Sequence, residues 1–181
     1  MLLRAPRPAD RGEYERVQAV SAAFFRPWYS WLPDGSTAIP DFDHELERVA
    51  RGIESGTSIR LVGVLPGGRI AGFFNLTEVV RGAFHNAYAS WNVAADVARR
   101  GFGAEGVRGL LAIAFAPAPI GLALHRVQAN VIPENEPSLR LARSVGFREE
   151  GLALRYLQIA GRWQDHVMLA ITVEEWQERG G

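Results

Sequence analysis

Nine residues, Ala98-Arg99-Arg100-Gly101-Phe102-Gly103-Ala104-Glu105-Gly106, carry the clearest chemistry in this chain. They set a glycine loop between a strand-like segment and an apolar helix, where backbone N–H groups and a helix N-terminus together hold a phosphate. The P-loop of nucleotide triphosphatases needs Gly-Lys followed by Ser or Thr, and the chain has no lysine. Gly101, Gly103 and Gly106 satisfy the G-x-G-x-x-G dinucleotide fingerprint, which opens a βαβ unit and is followed about 20 residues on by an acid for the ribose hydroxyls. Leu124-His125-Arg126-Val127-Gln128 stands there without an acid. Only residues 107–181 remain after the loop, too few for a doubly wound sheet and a substrate domain.

Other chemistries are excluded by composition. With no cysteine there is no disulfide, thiolate metal site or catalytic thiol, and without lysine no amine nucleophile. All 20 basic residues are arginine, which reads as a coding bias. His44, His85 and His125 are not spaced as metal ligands, so no metal is expected. The formal charge of zero gives no reason to expect nucleic acid or an anionic membrane as partner. The N-terminus lacks the apolar run of a signal peptide, which predicts a non-exported, cytoplasmic protein. The apolar stretch from Gly109 to Leu124 is shorter than a membrane span needs and is broken by Pro117 and Pro119.

These residues need a scaffold, and 181 residues with 48% hydrophobic side chains make one domain, 1–181. Leu2 to Ala5 reads as a strand; Asp10 caps a helix with Tyr14, Val17, Val20 and Ala23 on one face. Aromatics then cluster as Phe24, Phe25, Trp28, Tyr29 and Trp31 around Pro27. A second helix runs from Asp41 to Ser55 through Phe42, Leu46, Val49 and Ile53, and Gly56 ends it. Ser58 to Leu65 and Arg69 to Glu78 form a hairpin about Pro66-Gly67-Gly68, and Asn86 to Ala94 leads into the glycine loop. Beyond it, Val107, Leu110, Leu111, Ala114 and Phe115 give a helix its apolar face. A strand from Arg126 to Val131 and a helix from Glu134 to Val145, stopped by Gly146, come next. Phe147 to Ile171 makes two long strands turning at Ala160-Gly161, and Thr172 with Glu175 boxes a last helix holding Trp176. Seven strands and five helices predict one α/β (α+β) domain with a mixed sheet.

Five segments follow one another in the second half: the loop with Gly101 and Gly103; His125-Arg126-Val127-Gln128-Ala129; Asn135-Glu136-Pro137-Ser138; Ser144-Val145-Gly146-Phe147-Arg148-Glu149-Glu150-Gly151; and Gly161-Arg162-Trp163-Gln164-Asp165-His166. Together they resemble the GNAT superfamily of acetyl-CoA-dependent N-acetyltransferases, in particular its RimJ/RimL branch, the ribosomal-protein alanine N-acetyltransferases. Ala98 departs from the Arg or Gln that opens the family's pyrophosphate loop, which removes one side-chain contact and leaves the backbone amides. Upstream, Phe25-Arg26-Pro27-Trp28 resembles the branch's aromatic Pro-Trp element. The resemblance covers roughly the half of the chain from Ser90 onward.

The resemblance implies a mostly antiparallel sheet with two central parallel strands, Tyr88 to Ala94 and Arg126 to Val131, splayed around acetyl-CoA as co-substrate. Its pyrophosphate would lie on Arg99, Arg100, Gly101, Phe102, Gly103 and Ala104, although each arginine reads equally well as solvated. Asn130 and Asn135 would meet the pantetheine, Asn135 also serving as a helix cap. Backbone N–H near Asn92 or Val93 would face the oxyanion of the tetrahedral intermediate. Ser138 is the expected donor of a proton to the departing thiolate, directly or through water, with Tyr156 ranked behind it; Ser138 is otherwise a helix-turn serine. Glu150 is the candidate base, or else a surface glutamate. Trp28, Trp31 and Asp165 are placed on the acceptor side, and His166 is either polar wall or core. The implied partners are acetyl-CoA and a protein or peptide α-amino group, or a small-molecule amine such as an amino acid, antibiotic or polyamine; a non-catalytic CoA-binding module is the remaining alternative. A monomer and a homodimer are both open.

Overall fold

Alternating apolar and polar residues punctuated by glycine turns build one sheet across this chain. In the computed structural model, which describes residues 1–29, 41–159 and 161–181, the strands are β1 (Leu2–Arg4), β2 (Ile59–Val64), β3 (Ile70–Val80), β4 (Asn86–Val93), β5 (Arg126–Val131), β6 (Arg148–Ile159) and β7 (Arg162–Thr172). They pair in the order β1-β2-β3-β4-β5-β7-β6. The helices are α1 (Arg11–Phe25), α2 (Phe42–Ser55), α3 (Phe102–Phe115), α4 (Glu136–Val145) and α5 (Val173–Glu178). Every neighbouring pair is antiparallel except β4 and β5.

Those two pair only through Asn86 with Arg126, Ala87 with Val127 and Tyr88 with Gln128. Past that point they separate, so the facing backbone edges of residues 89–93 and 129–131 have no strand partner within the sheet. Two apolar clusters hold the sheet around this gap. One joins Val107, Leu110 and Leu111 of α3 and Leu139 of α4 to Phe74, Leu76, Ala89, Val127 and Leu169. The other joins Val17 and Phe25 of α1 to Val62, Ile70 and Val97. Each fully buried Leu or Phe contributes about 1.5–3 kcal/mol.

The helix faces differ in detail from the periodicity. Tyr14, Val17, Ser21 and Phe25 are the buried face of α1, while Val20 is 47% exposed. Ser21 is inside because its Oγ accepts the Ala95 N–H at 3.0 Å. Asp10 precedes α1 without capping it; its carboxylate instead takes both Arg4 nitrogens at 2.6 and 2.7 Å and the Arg7 N–H at 2.7 Å, tying β1 to α1. In α2 Phe42, Val49 and Gly52 are buried, and Ile53 faces solvent. Asn135 caps α4, its Oδ1 accepting Ser138 N–H at 3.3 Å; Pro137 falls in the first turn, where its missing N–H is not needed. Thr172 and Glu175 form the expected capping box of α5. Among the described residues no helix is long and apolar enough to cross a membrane.

Candidate active site

The glycine loop leaves β4 through a 3₁₀ turn at Ala95–Val97 and enters α3 at Phe102. Arg99 has φ +62° and Gly101 φ +87°. Left-handed residues alternating with right-handed or extended ones turn successive N–H groups toward one point, a concavity suited to an anion. Glu105 N–H is the first to find an intrahelical carbonyl, that of Gly101 at 3.1 Å, so the N–H groups of Phe102, Gly103 and Ala104 are free of the helix ladder. Their dipole end favours negative charge. Gly103 lets α3 approach α4 and β4: a Cβ there would lie 2.5 Å from Leu141 Cδ1 and 3.2 Å from Val93 Cγ2. Gly106 is a packing glycine, since a Cβ would come within 2.2 Å of the Phe74 ring.

Loop and splayed strands open onto one cavity of about 1030 Å³. Of the residues singled out in the sequence, Trp28, Asn92, Val93, Arg99, Gly101, Gly103, Ala104, Asn130, Asn135 and Ser138 line it. Residues distant in sequence thereby converge: the end of β4, the first turn of α3, the end of β5 and the first turn of α4.

The cavity continues under α1 and α2, and of this half the sequence offered only Trp28 and, as one of two readings, His166. Tyr14, Gln18, Tyr29, Glu45, Arg48, Arg60, Asn75, Ser90 and His166 line it. Register explains the row: Arg60 pairs with Asn75 and Asn75 with Ser90, which places a polar strip of about 10 Å across three strands. Asn75 Nδ2 donates to Ser90 Oγ at 3.4 Å. Glu45 receives Arg60 at 3.5 Å and Arg48 at 3.7 Å. Burial pulls the Arg60 guanidinium below its usual value, the Glu45 charge opposing it. Burial also pushes the Tyr14 phenol up to about 12 and raises that of Tyr29. The available signal was Asn75 and Thr77 interrupting the apolar run of β3; nothing local pointed to Tyr14, Gln18 or Glu45.

Several expected site residues are elsewhere. Arg100 does not line the cavity; its guanidinium lies over the Phe102 ring, 5.6 Å from the centroid. Phe102 is outside it too. Glu150 is turned to Arg126 at 2.5 Å and Arg148 at 2.8 Å, and the Arg126 hydrogen bond holds its carboxyl below the usual range. A carboxylate so engaged, away from the cavity, is poorly placed as a base. Asp165 accepts the Arg155 N–H at 2.7 Å, supporting the irregular stretch of β6 between Ala153 and Leu157. Tyr156 does not line the cavity, although its hydroxyl accepts from Asn130 Nδ2 at 3.3 Å. Trp31 lies outside the described residues. No group of His, Asp or Glu that could hold a metal ion is found among the described residues.

A family model described as an acetyltransferase (GNAT) domain matches residues 1–148. The [ribosomal protein uS5]-alanine N-acetyltransferase of Escherichia coli K12 is 35% identical over 107 residues, 59% of this chain and 53% of that protein. The chain thus spans about half the length of the curated relatives it matches. The solved structure of Mycobacterium smegmatis RimJ in complex with CoA-disulfide superposes with a TM-score of 0.85 at 29% identity, covering 96% of this chain and 82% of that one. Spermidine N-acetyltransferase from Vibrio cholerae, in complex with CoA and spermine, shares the fold with a TM-score of 0.77 at 22% identity, covering 97% of each chain. With the family match running through β1 to the exit of α4, and with β4 and β5 parted beside the glycine loop, the chain belongs to the acetyltransferase (GNAT) domain family.

Proposed function

We propose that this protein transfers the acetyl group of acetyl-CoA to the α-amino group of a protein or peptide. The observation that carries the reading is one cavity joining the glycine loop and two parted strand edges to a polar pocket under α1 and α2. The amides of Phe102, Gly103 and Ala104, with Arg99, would hold the pyrophosphate, and the unpaired edges of β4 and β5 would take the pantetheine amides as a strand would. The amine nitrogen attacks the thioester carbonyl, C–N forms, the amine loses a proton, and the C–S bond breaks. Ser138, at the start of α4 and lining the cavity, is our candidate to give the thiolate its proton directly or through water. Asn92 and Val93 N–H are our candidates for the oxyanion.

The protein N-terminus is favoured as acceptor by the likeness to the E. coli uS5-alanine enzyme and M. smegmatis RimJ. A small-amine acceptor is the second reading, because spermidine acetyltransferases share the fold. The described pocket opposes a polycation: one carboxylate, Glu45, faces two guanidinium groups, Arg48 and Arg60. The test is a panel of Ala-initiated and Ser-initiated peptides, spermidine and free amino acids, incubated with acetyl-CoA and read by mass. Peptides acetylated at the α-amine support the reading; acetylation of small amines alone overturns it.

A further inference from the structure

The proposed reaction needs a group to take the amine proton, and the structure points to one. We infer that His166 is that base, acting through Nε2, directly or across one water. The inference rests on the acetyltransferase reading above.

His166 is on β7 opposite Ala153 of β6. The next residue, Val167, pairs with Val131, the last residue of β5, so His166 is the first β7 residue past the point where β5 ends. Met168 pairs with Asn130, and side chains two apart along a strand share a face. His166 therefore projects on the Asn130 side, and both line the cavity. Its Nδ1 is 3.1 Å from the Gln164 carbonyl oxygen. A carbonyl only accepts, so Nδ1 carries the hydrogen and Nε2 is left with the lone pair. The Tyr156 ring meets the imidazole edge-on, centroids 5.7 Å apart, and limits its rotation.

The imidazole is 3% exposed. That burial lowers its pKa, against the Gln164 hydrogen bond and the Asp165 charge, and keeps it neutral near neutral pH. Tyr156 of β6 touches the ring, and the other titratable or charged groups that line the cavity are Tyr29, Tyr14 of α1, Glu45 and Arg48 of α2, Arg60 of β2, Arg99 of the loop and Arg140 of α4. Asp165 is committed to the Arg155 N–H and does not pair with the ring. Of the two proton acceptors in the described cavity wall, Glu45 is already flanked by two arginines. In the step itself the N–H bond breaks as C–N forms, Nε2 takes the proton, and the imidazolium later releases it to water. The thiolate is protonated separately.

The test is the pH dependence of kcat at saturating acetyl-CoA with whichever amine the panel identifies, for wild type, His166→Asn and His166→Ala. Asparagine can still donate to the Gln164 carbonyl but has no basic nitrogen. The expected result is an acid limb in wild type below the usual imidazole range, a loss of about 100-fold or more in His166→Asn with the limb gone, and partial recovery of His166→Ala by free imidazole. Thermal stabilisation by acetyl-CoA should persist in both variants. The inference is overturned by a wild-type profile with no acid limb, which requires no variant. It is equally overturned if His166→Asn keeps both limb and turnover within about threefold, or if turnover falls with the limb intact and no imidazole rescue. A limb lost in Glu45→Gln and kept in His166→Asn would pass the role to Glu45. If wild type acetylates no amine, the transferase reading itself fails; activity with an unaffected His166→Asn sinks only the base.

Discussion

Asn135 and Ser138 occupy one turn and, on the proposed reading, carry separable tasks. The Asn135 side chain satisfies the Ser138 N–H at the start of α4, which is a stability function, while Ser138 itself lines the cavity. Asn135→Ala should therefore cost about 1 kcal/mol, a melting shift of roughly 2–4 °C for a chain of this size, and Asn135→Asp should restore it. Ser138→Ala should leave melting nearly unchanged, retain the stabilisation by acetyl-CoA that mass action requires, and lower kcat about 10–100-fold. Thermal melts with and without acetyl-CoA, run beside steady-state turnover, separate the two. Unaltered turnover in Ser138→Ala would leave the hydroxyl a local helix-turn group. Glu150 shows how residue type misleads when its neighbours are unknown: a glutamate after Gly146-Phe147 looked like a base, and two arginines hold it.

At the scale of elements, α3 is pressed onto β3 by a contact that only glycine permits. The Gly106 Cα faces the Phe74 ring, and a methyl group would need the ring to move. Gly106→Ala should destabilise by about 1–3 kcal/mol, and adding Phe74→Leu should recover part of that loss; a double-mutant cycle in urea that shows plain additivity would mean the helix simply shifts. The same elements show why so much of the fold was legible. β2 and β3 declared themselves by alternation around Pro66-Gly67-Gly68, α2 by the spacing of Phe42, Leu46 and Val49, the end of α4 by Gly146 and α5 by the Thr172-Glu175 box, signals that lie within a few residues of what they specify; α4 itself starts at Glu136, two residues later than read. The loop half of the cavity was legible for the same reason, since Gly101 to Ala104 and Asn135 to Ser138 are short contiguous motifs. The acceptor half was not. Trp28 and His166 apart, its residues carry no local motif: Arg60, Asn75 and Ser90 become neighbours only through register, and Tyr14, Gln18 and Glu45 reach them from α1 and α2. Periodicity also misjudged which stripe of α1 is inside, because Ser21 is buried by its bond to the Ala95 backbone rather than by hydrophobicity.

For the whole molecule, ionisation should set the pH range of stability in two steps. Asp10, Glu13 and Glu150 are each held below their ordinary values, chiefly by hydrogen bonds from Arg4, Arg16 and Arg126. A depressed folded-state pKa contributes stability that is complete above the unfolded value, 3.8 for aspartate and 4.5 for glutamate, and is lost as pH falls through the folded one. His166 obeys the same sign one step higher: burial lowers its pKa from 6.5, so its contribution is complete above 6.5 and fades as pH falls below it. His44 runs the other way, raised by its bond to Asp41, but it is fully exposed and salt screens it. Tm measured from pH 8 to 3 should accordingly be level above about 6.5, decline gently to about 4.5 and fall steeply below. His166→Asn should erase the gentle decline, and Asp10→Asn should lower Tm throughout while flattening part of the steep limb. A wild-type Tm that stays level between about pH 6.5 and 5 would mean the imidazole titrates freely, with no burial penalty to keep it neutral in the folded chain.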